Sequence, residues 1–436
     1  AWSGGKISVF DRKSDGSLPG EGAVALVLKR LDRARESSDR IYSVIKGIGC
    51  AGGGINNNSD PDAYIRSLQR AFNDSDVDPD KISYMEAFGS GDPECDIMEA
   101  RAMNAFFETR PESSACAVGS IASVTGQPGA ATGLAAAAKT CLALYQEIIP
   151  PIGNFSEPQP AIRNPEKFHI PIFPQYWARD RKNGPRAACV GTVAADGTCM
   201  HLVLEGPDYT NRGKLADSLQ KKISRERKRP LGEISSGLFA VTGDNSAELI
   251  VKLEMLEDFI GKFDKKTDGV QPGRYARKWY RLQKPDTKSK LAISIVAQDI
   301  SRLHESIREA KAAVRNGTRV EINGRSIISY NPQPVGKNGQ AAFVFPGSGN
   351  HYLGMGKQIG SAWPEIYREM DVETLELKSQ LLPHCYIPWR IAWGPEWQYS
   401  ALEKIASDPL NMIFGQVVHG GVMTKLISKF GISPSA

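Results

Sequence analysis

Apolar runs of strand length alternate with segments of helical period along most of the chain. That alternation restricts the fold to layered α/β architectures. Strand candidates are 21–31 (EGAVALVLKRL), 41–49 (IYSVIKGIG), 82–88 (ISYMEAF), the start of ACAVGSIAS, and two runs within 186–206. Between them, 61–77 places apolar residues at helical spacing behind Asp60 and Pro61. Residues 96–108 also read as helix, and the Ala-rich stretch 130–148 reads as a buried one. A chain of 436 residues has room for several such layers. Hydrophobic residues at 41% and charged residues at 24% exclude a wholly disordered chain and a disulfide-dense miniprotein. A net charge of +5 is too weak to point to nucleic acid. Apolar stretches are broken well short of the ~18 residues a membrane span requires.

The 7 cysteines are an odd number, widely spaced and without C-x-x-C. They fit free thiols in a reducing compartment, so a cytoplasmic location is expected. The chain opens without Met and without a signal peptide, which suggests a fragment. Gly47-Ile48-Gly49-Cys50-Ala51-Gly52 matches G-x-G-x-x-G but is followed by an Asn-rich stretch, not a helix. It therefore reads as a flexible loop and not as a dinucleotide site. No cluster has metal-ligand spacing.

A composition shift follows residue 206. Arg212, Lys214, Lys221, Lys222, Arg225, Arg227, Lys228 and Arg229 crowd into 207–232. They read as a solvated helix or linker, with a basic patch for an acidic protein partner as the alternative. Residues 238–330 then read strand, helix, strand, helix, with Asn245 or Ser246 as one cap and Gly317 as a stop. A last section opens at Gln340 as an apolar strand breaking into a Gly-rich loop, QAAFVFPGSGNHYLGMG.

Three stretches carry a more specific pattern. The first runs from Glu86 through Phe88-Gly89-Ser90-Gly91 to Asp96 and Glu99-Ala100. The second is Gly119-Ser120-Ile121-Ala122-Ser123-Val124-Thr125-Gly126-Gln127, leading into the Ala-rich helix. The third is Ala195-Asp196-Gly197-Thr198-Cys199-Met200-His201, continuing to Glu205. Together with Phe10-Asp11, Asp15-Gly16 and Pro19-Gly20-Glu21-Gly22-Ala23, they resemble the C-terminal half of a β-ketoacyl-carrier-protein synthase. The family writes the first three as E-x-H-G-T-G-T-x-x-G-D-P-x-E-A, G-S-x-K-S-x-x-G-H and F-G-G-T-N-A-H-x-x-L-E. The resemblance implies a thiolase-like α/β layered fold over residues 1–206.

The departures bear on activity. The resemblance puts the two histidines that assist malonyl decarboxylation at Phe88 and Gln127, and the family's lysine at Ala122. Phe88 cannot donate a hydrogen bond, and Gln127 can donate but cannot transfer a proton. Glu99 then lacks its usual ion-pair partner. Gly89, Gly91, Asp96, Gly126 and His201 are kept as motif or structural positions. Cys95 replaces a motif glycine and reads as packing. Loss of these groups with the pattern retained resembles the chain length factor, a non-decarboxylating partner of an active ketosynthase. Polyunsaturated fatty acid and polyketide synthases carry such domains.

Residues 340–436 resemble the start of an acyl-carrier-protein transacylase, an α/β-hydrolase-like acyltransferase, through Phe343-Val344-Phe345-Pro346-Gly347-Ser348-Gly349-Asn350-His351-Tyr352-Leu353-Gly354-Met355-Gly356. Here Ser348 stands at the family's oxyanion-hole Gln, and Gly349, His351 and Gln416 are further substrate or oxyanion candidates. The nucleophilic serine is not among these residues. Residues 207–339 take the position of the linker between the two, a small α+β unit. The implied function is part of a multidomain polyunsaturated fatty acid or polyketide synthase, a chain-length-factor-like domain joined to an acyltransferase. A degenerate docking scaffold, or a remnant with no catalytic role, is the alternative. The implied partners are an acyl carrier protein with its phosphopantetheine and an active ketosynthase domain as pseudo-dimer mate. Nucleic acid, membrane, metal and a directly bound cofactor are not expected.

Overall fold

A computed structural model describes residues 4–52, 60–109, 115–162, 167–207, 217–228, 236–262, 271–322, 326–336, 339–347, 349–350, 352–381, 399, 402–403 and 406–435. They form an α/β protein of two compact units, one of residues 1–231 with 344–432 and one of 232–343 with 433–436.

The first unit begins with α1 (Leu31–Glu36), β1 (Val44–Ala51), α2 (Pro61–Ser75), β2 (Ile82–Glu86), α3 (Pro93–Phe106) and β3 (Cys116–Gly119). A short α4 (Ala122–Thr125) and the long α5 (Thr132–Gln146) follow, then β4 (Ile148–Ile149), β5 (Phe168–His169), β6 (Gln175–Tyr176), β7 (Ala187–Val193), β8 (Cys199–Glu205) and α6 (Asp217–Arg227). Six strands make one mixed sheet in the order β1-β8-β7-β2-β3-β5. β1, β8 and β7 are antiparallel neighbours, whereas β7, β2, β3 and β5 run parallel. Tyr64, Leu68, Phe72 and Met103 of α2 and α3 bury one face against Ile82, Met85 and Val203. On the other face, Ala136 and Leu144 of α5 meet Tyr84, Trp177, Val190 and Leu204. The result is helix, sheet, helix.

Local chemistry places the helix starts. Asp60 caps α2 by accepting from the Asp62 amide, with Pro61 at the first turn. Asp92 accepts from the amides of Glu94 and Cys95, so α3 starts at Pro93, earlier than the expected 96. Two other expectations change. Gly47 and Gly49 do not lie in a flexible loop; they are inside β1. A Cβ at either would collide with carbonyl oxygens of α2, those of Ala71 and Ser67. These glycines exist so that helix and strand can touch backbone to backbone. The apolar run 21–31 is not a buried strand. Val27 and Leu28 are exposed, and α1 begins at Leu31. Among the described residues no strand pairs with this run, and without a partner for its amides and carbonyls an apolar run gains nothing from extension. The run before Pro346 likewise lies outside any strand.

The second unit holds β9 (Gly237–Gly243), α7 (Ser246–Gly261), α8 (Pro272–Leu282), β10 (Leu291–Ala297), α9 (Ile300–Asn316), β11 (Val320–Ile322) and β12 (Ser326–Tyr330). Its antiparallel sheet runs β11-β12-β10-β9. Phe239, Leu253, Leu256, Trp279, Ile295 and Ile307 form its core. Asn245 caps α7 by accepting from the Glu248 amide, and Gly317 ends α9 at a left-handed φ of 61°.

The chain then returns to the first unit as α10 (Lys357–Ala362), α11 (Pro364–Glu373), α12 (Leu377–Leu381) and α13 (Pro409–Lys429). Ile366, Tyr367, Leu377, Leu381, Val418 and Val422 pack with Ile148 and Tyr176. Beside this contact lies a buried charge cluster. Glu147, at the C-terminal end of α5, receives Arg186 at 3.0 Å, Arg227 at 2.8 Å and Arg368 at 3.0 Å. Arg179 and Arg186 also reach Asp371, at 3.4 and 4.0 Å.

Candidate functional site

The site is built on two loops that leave the ends of adjacent parallel strands. Glu86 closes β2, and residues 87–92 turn from it into α3; Gly119 closes β3, and 120–127 lead through α4 toward α5. The Ala87 amide donates to Gly119 O at 2.8 Å and pins the loops side by side. Gly89 and Gly91 hold left-handed φ of 48° and 75°, and Cβ atoms there would press on Ser120 and Ile7.

Phe88, Ala122 and Gln127 are brought together here. The Ser120 hydroxyl lies 3.0 Å from Phe88 O and 3.2 Å from Gly89 O, and accepts from the Ala122 amide at 3.2 Å. Gln127 Nε2 donates to Gly89 O at 3.3 Å, while Gln127 Oε1 accepts from Thr132 Oγ1 at 3.1 Å. Gly126 has φ 70°, and a Cβ there would sit 2.8 Å from Leu18 O. Phe88 is half-buried and Ala122 fully buried.

Glu99 has found other partners than a lysine. Its carboxylate accepts from Tyr64 Oη, the Phe88 amide and the Gly89 amide, each at 2.8 Å. Burial raises its pKa even against those hydrogen bonds. Asp96 ties the loop to the start of the chain. It accepts from the Phe10 amide at 2.9 Å, and from the Gly91 amide and Ser90 Oγ at 3.2 Å. Burial pushes its pKa up to about 7. His201 lies on β8, fully buried, edge-on to Tyr64 with ring centroids 4.4 Å apart. Its Nδ1 is 2.6 Å from Ser67 Oγ, and burial brings its pKa down to about 3. A Cβ at Gly191 would come 2.9 Å from its Nε2. Burial also raises the Cys95 thiol, which keeps it protonated.

The arrangement can present a half-buried aromatic face and one amide between two rigid loops. Neither Phe88, Ala122 nor Gln127 can move a proton. One ionic contact escaped the sequence reading: Lys139 of α5 meets the buried Glu86 at 2.8 Å, and Tyr84 Oη donates to the same carboxylate. The signal was a lone lysine in an otherwise apolar, Ala-rich helix. Among the described residues no group of His, Cys, Asp and Glu could hold a metal ion, and no helix is long and apolar enough to cross a membrane.

Of the candidates in the last section, Ser348 and His351 lie outside the described residues. Gly349 is exposed with φ 98°, and Gln416 is half-buried on α13. Gly356 has φ 75°, and a Cβ on it would strike the ring of His419, also on α13. His419 Nδ1 lies 2.6 Å from Gly415 O.

Residues 42–156 match the family described as beta-ketoacyl synthase, C-terminal domain. The chain is similar to polyketide synthase PksL of Bacillus subtilis, with 31% identity over 59% of this chain and 5% of that protein. It is also similar to 6-hydroxymellein synthase cdmE of Talaromyces verruculosus, 23% identical over 99% of this chain and 16% of that protein. The chain thus spans a small part of these relatives. Among solved structures it is similar to the ketosynthase from module 6 of the bacillaene synthase of Bacillus subtilis, at 23% identity and TM-score 0.44, covering 75% of this chain and 52% of that one. Residues 42–156 are thus ketosynthase-like.

Proposed function

We propose that the chain is part of a polyketide or polyunsaturated fatty acid synthase, in which its ketosynthase-like domain acts as a chain length factor. It shapes the space for a growing acyl chain and leaves decarboxylation to a catalytically competent mate. The supporting observation is the site itself. Glu99, Asp96 and Ser120 tie the loops together by hydrogen bonds, while Phe88, Gln127 and Ala122 stand where the resemblance puts two histidines and a lysine. The packing demands of the fold persist where the chemical demands have gone.

On this reading the growing chain arrives on the phosphopantetheine arm of an acyl carrier protein. The mate is an active ketosynthase domain. Residues 207–339 serve as linker, and 340–436 begin an acyltransferase. What supports that last assignment is the sequence resemblance, together with the close approach of Gly356 to His419, which packs the Gly-rich stretch against α13.

The test is release of labelled carbon dioxide from malonyl-carrier protein by the full-length protein, alone and with Phe88→His/Gln127→His in place. Release by the native protein at background is expected. Turnover equal to that of an active ketosynthase would sink the proposal.

A further inference from the structure

We propose that Asp96 is held as a neutral carboxylic acid in the closed protein, and that its ionisation opens the joint between loop 87–92 and the start of the chain. Three carboxylic side chains, Glu86, Asp96 and Glu99, are buried beneath the loop. Asp96 and Glu99 fall three residues apart and so share one face of α3. The charge of Glu86 acts on Glu99, and that of Glu99 on Asp96. Among the described residues these three make one ion pair, Glu86 with Lys139 at 2.8 Å. Asp96 and Glu99 are left without a cation, and burial favours the neutral form of an acid so placed.

Hydrogen bonds decide which of the two keeps the proton. Both oxygens of Glu99 are taken at 2.8 Å by donors, two amides and the Tyr64 hydroxyl, so a proton there would displace one of them. Asp96 Oδ2 takes the Phe10 amide at 2.9 Å, whereas Oδ1 meets the Gly91 amide and Ser90 Oγ at 3.2 Å. Ser90 Oγ accepts from the Asp92 amide at 3.0 Å and adjoins the Cys95 thiol. A proton on Asp96 Oδ1 therefore points at Ser90 Oγ, and the hydroxyl turns its own proton toward Cys95 Sγ.

Asp96 grips both sides of the joint, Phe10 from the chain start and Gly91 from the loop. Ser14 Oγ and the Gly16 amide also donate to Gly91 O, so a shift of Gly91 is passed to the chain start. The surrounding titratable groups are committed elsewhere. Asp92 caps α3, Tyr84 donates to Glu86, and His201 stands behind Tyr64, where burial keeps it neutral. Asp11, next to Phe10, accepts from the amides of Lys13, Ser156 and Glu157; burial is outweighed there and its pKa falls. Burial pushes Asp96 up to about 7 from an ordinary 3.8, the value it regains when the joint opens to water. The open form is therefore favoured about tenfold more for each pH unit between those values, and no further above the upper one.

The experiment follows amide hydrogen exchange in the 436-residue chain by NMR from about pH 5 to about pH 8. After allowance for base catalysis, the opening constant at the Phe10 and Gly91 amides should rise about tenfold per pH unit and level off near 7, while amides of β10 in the second unit stay constant. Asp96→Asn keeps an acceptor for the amides and donates to Ser90, so its opening constant should stay flat within about twofold. The carboxyl carbon of Asp96, followed in the native chain labelled with isotopic aspartate, should titrate near 7, a reading that needs no variant to fold. A carboxyl that titrates near its ordinary value, a flat opening constant in the native chain, or an equal slope in Asp96→Asn overturns the inference. The chain-length-factor reading stands in each of these cases, since it needs no proton on Asp96.

Discussion

The loop site and the Glu147 cluster lie in the same unit and treat charge in opposite ways. At the loops, the positions resembling two histidines and a lysine hold a phenylalanine, a glutamine and an alanine. At the cluster, four arginines and two carboxylates remain buried together. Buried ions persist only when partners are held in good geometry, because desolvation costs several kcal/mol per ion. The loops are held by backbone amides and carbonyls, with Phe88, Ala122 and Gln127 carrying no charge. The charges of the cluster join four stretches of chain, those of Glu147, of Arg179 and Arg186, of Arg227, and of Arg368 and Asp371. A loop held by its backbone can change side chains without losing its architecture; an ionic junction has no such freedom.

The strongest way to break this contrast is Glu147→Gln. It strands Arg186, Arg227 and Arg368 around a neutral group. A loss of about 3–5 kcal/mol is expected in urea unfolding of the full chain. A loss below about 1 kcal/mol would mean the cluster holds nothing together.

The pH dependence sharpens the comparison, because the two regions respond with opposite sign. The arginines hold the Glu147 carboxylate well below its ordinary range, although burial opposes them. Its contribution is therefore present above the unfolded carboxylate pKa and is lost as pH falls through the range below. Asp96 is raised by burial to about 7. Its contribution is complete below its unfolded value near 3.8 and disappears as pH rises toward 7. Asp96→Asn should flatten the fall in stability between those limits, a slope of at most about 1.4 kcal/mol per pH unit. Unfolding titrations that show the same slope in the variant would refute this.

A smaller effect is expected from Gln127→Ala, which removes contacts to Gly89 O and Thr132 Oγ1. About 0.5–1.5 kcal/mol should be lost in the same assay. The smallest is Phe88→His, where the side chain is half-buried and its own amide, not its ring, holds the loop. A change within about 1 kcal/mol is expected; a larger one would show that the ring is a structural anchor.

Much of the fold was legible because it is local. Asp60, Asn245 and Gly317 mark helix ends by chemistry that acts within one turn, although the cap at Asp92 went unread. The loop site was legible through its glycines and its departures from a known pattern. Pairing was not. The run 21–31 has strand composition but, among the described residues, no strand pairs with it, and composition carries no information about neighbours. Gly47 and Gly49 fall within the strand expected over 41–49, yet their motif reads as a loop, because the reason for the glycines lies in α2, which approaches them only in the folded chain. The Glu147 cluster joins residues 39 and 221 positions apart, with no shared motif.

Glu147 also sits where the backbone of α5 turns left-handed, at φ 55°, a place glycine would occupy more comfortably. The same residue thus decides where a helix stops and which segments assemble around its end. A mutation to glycine would ease the first task and abolish the second. Position 147 is thus a junction in which a helix end and long-range assembly meet at one residue.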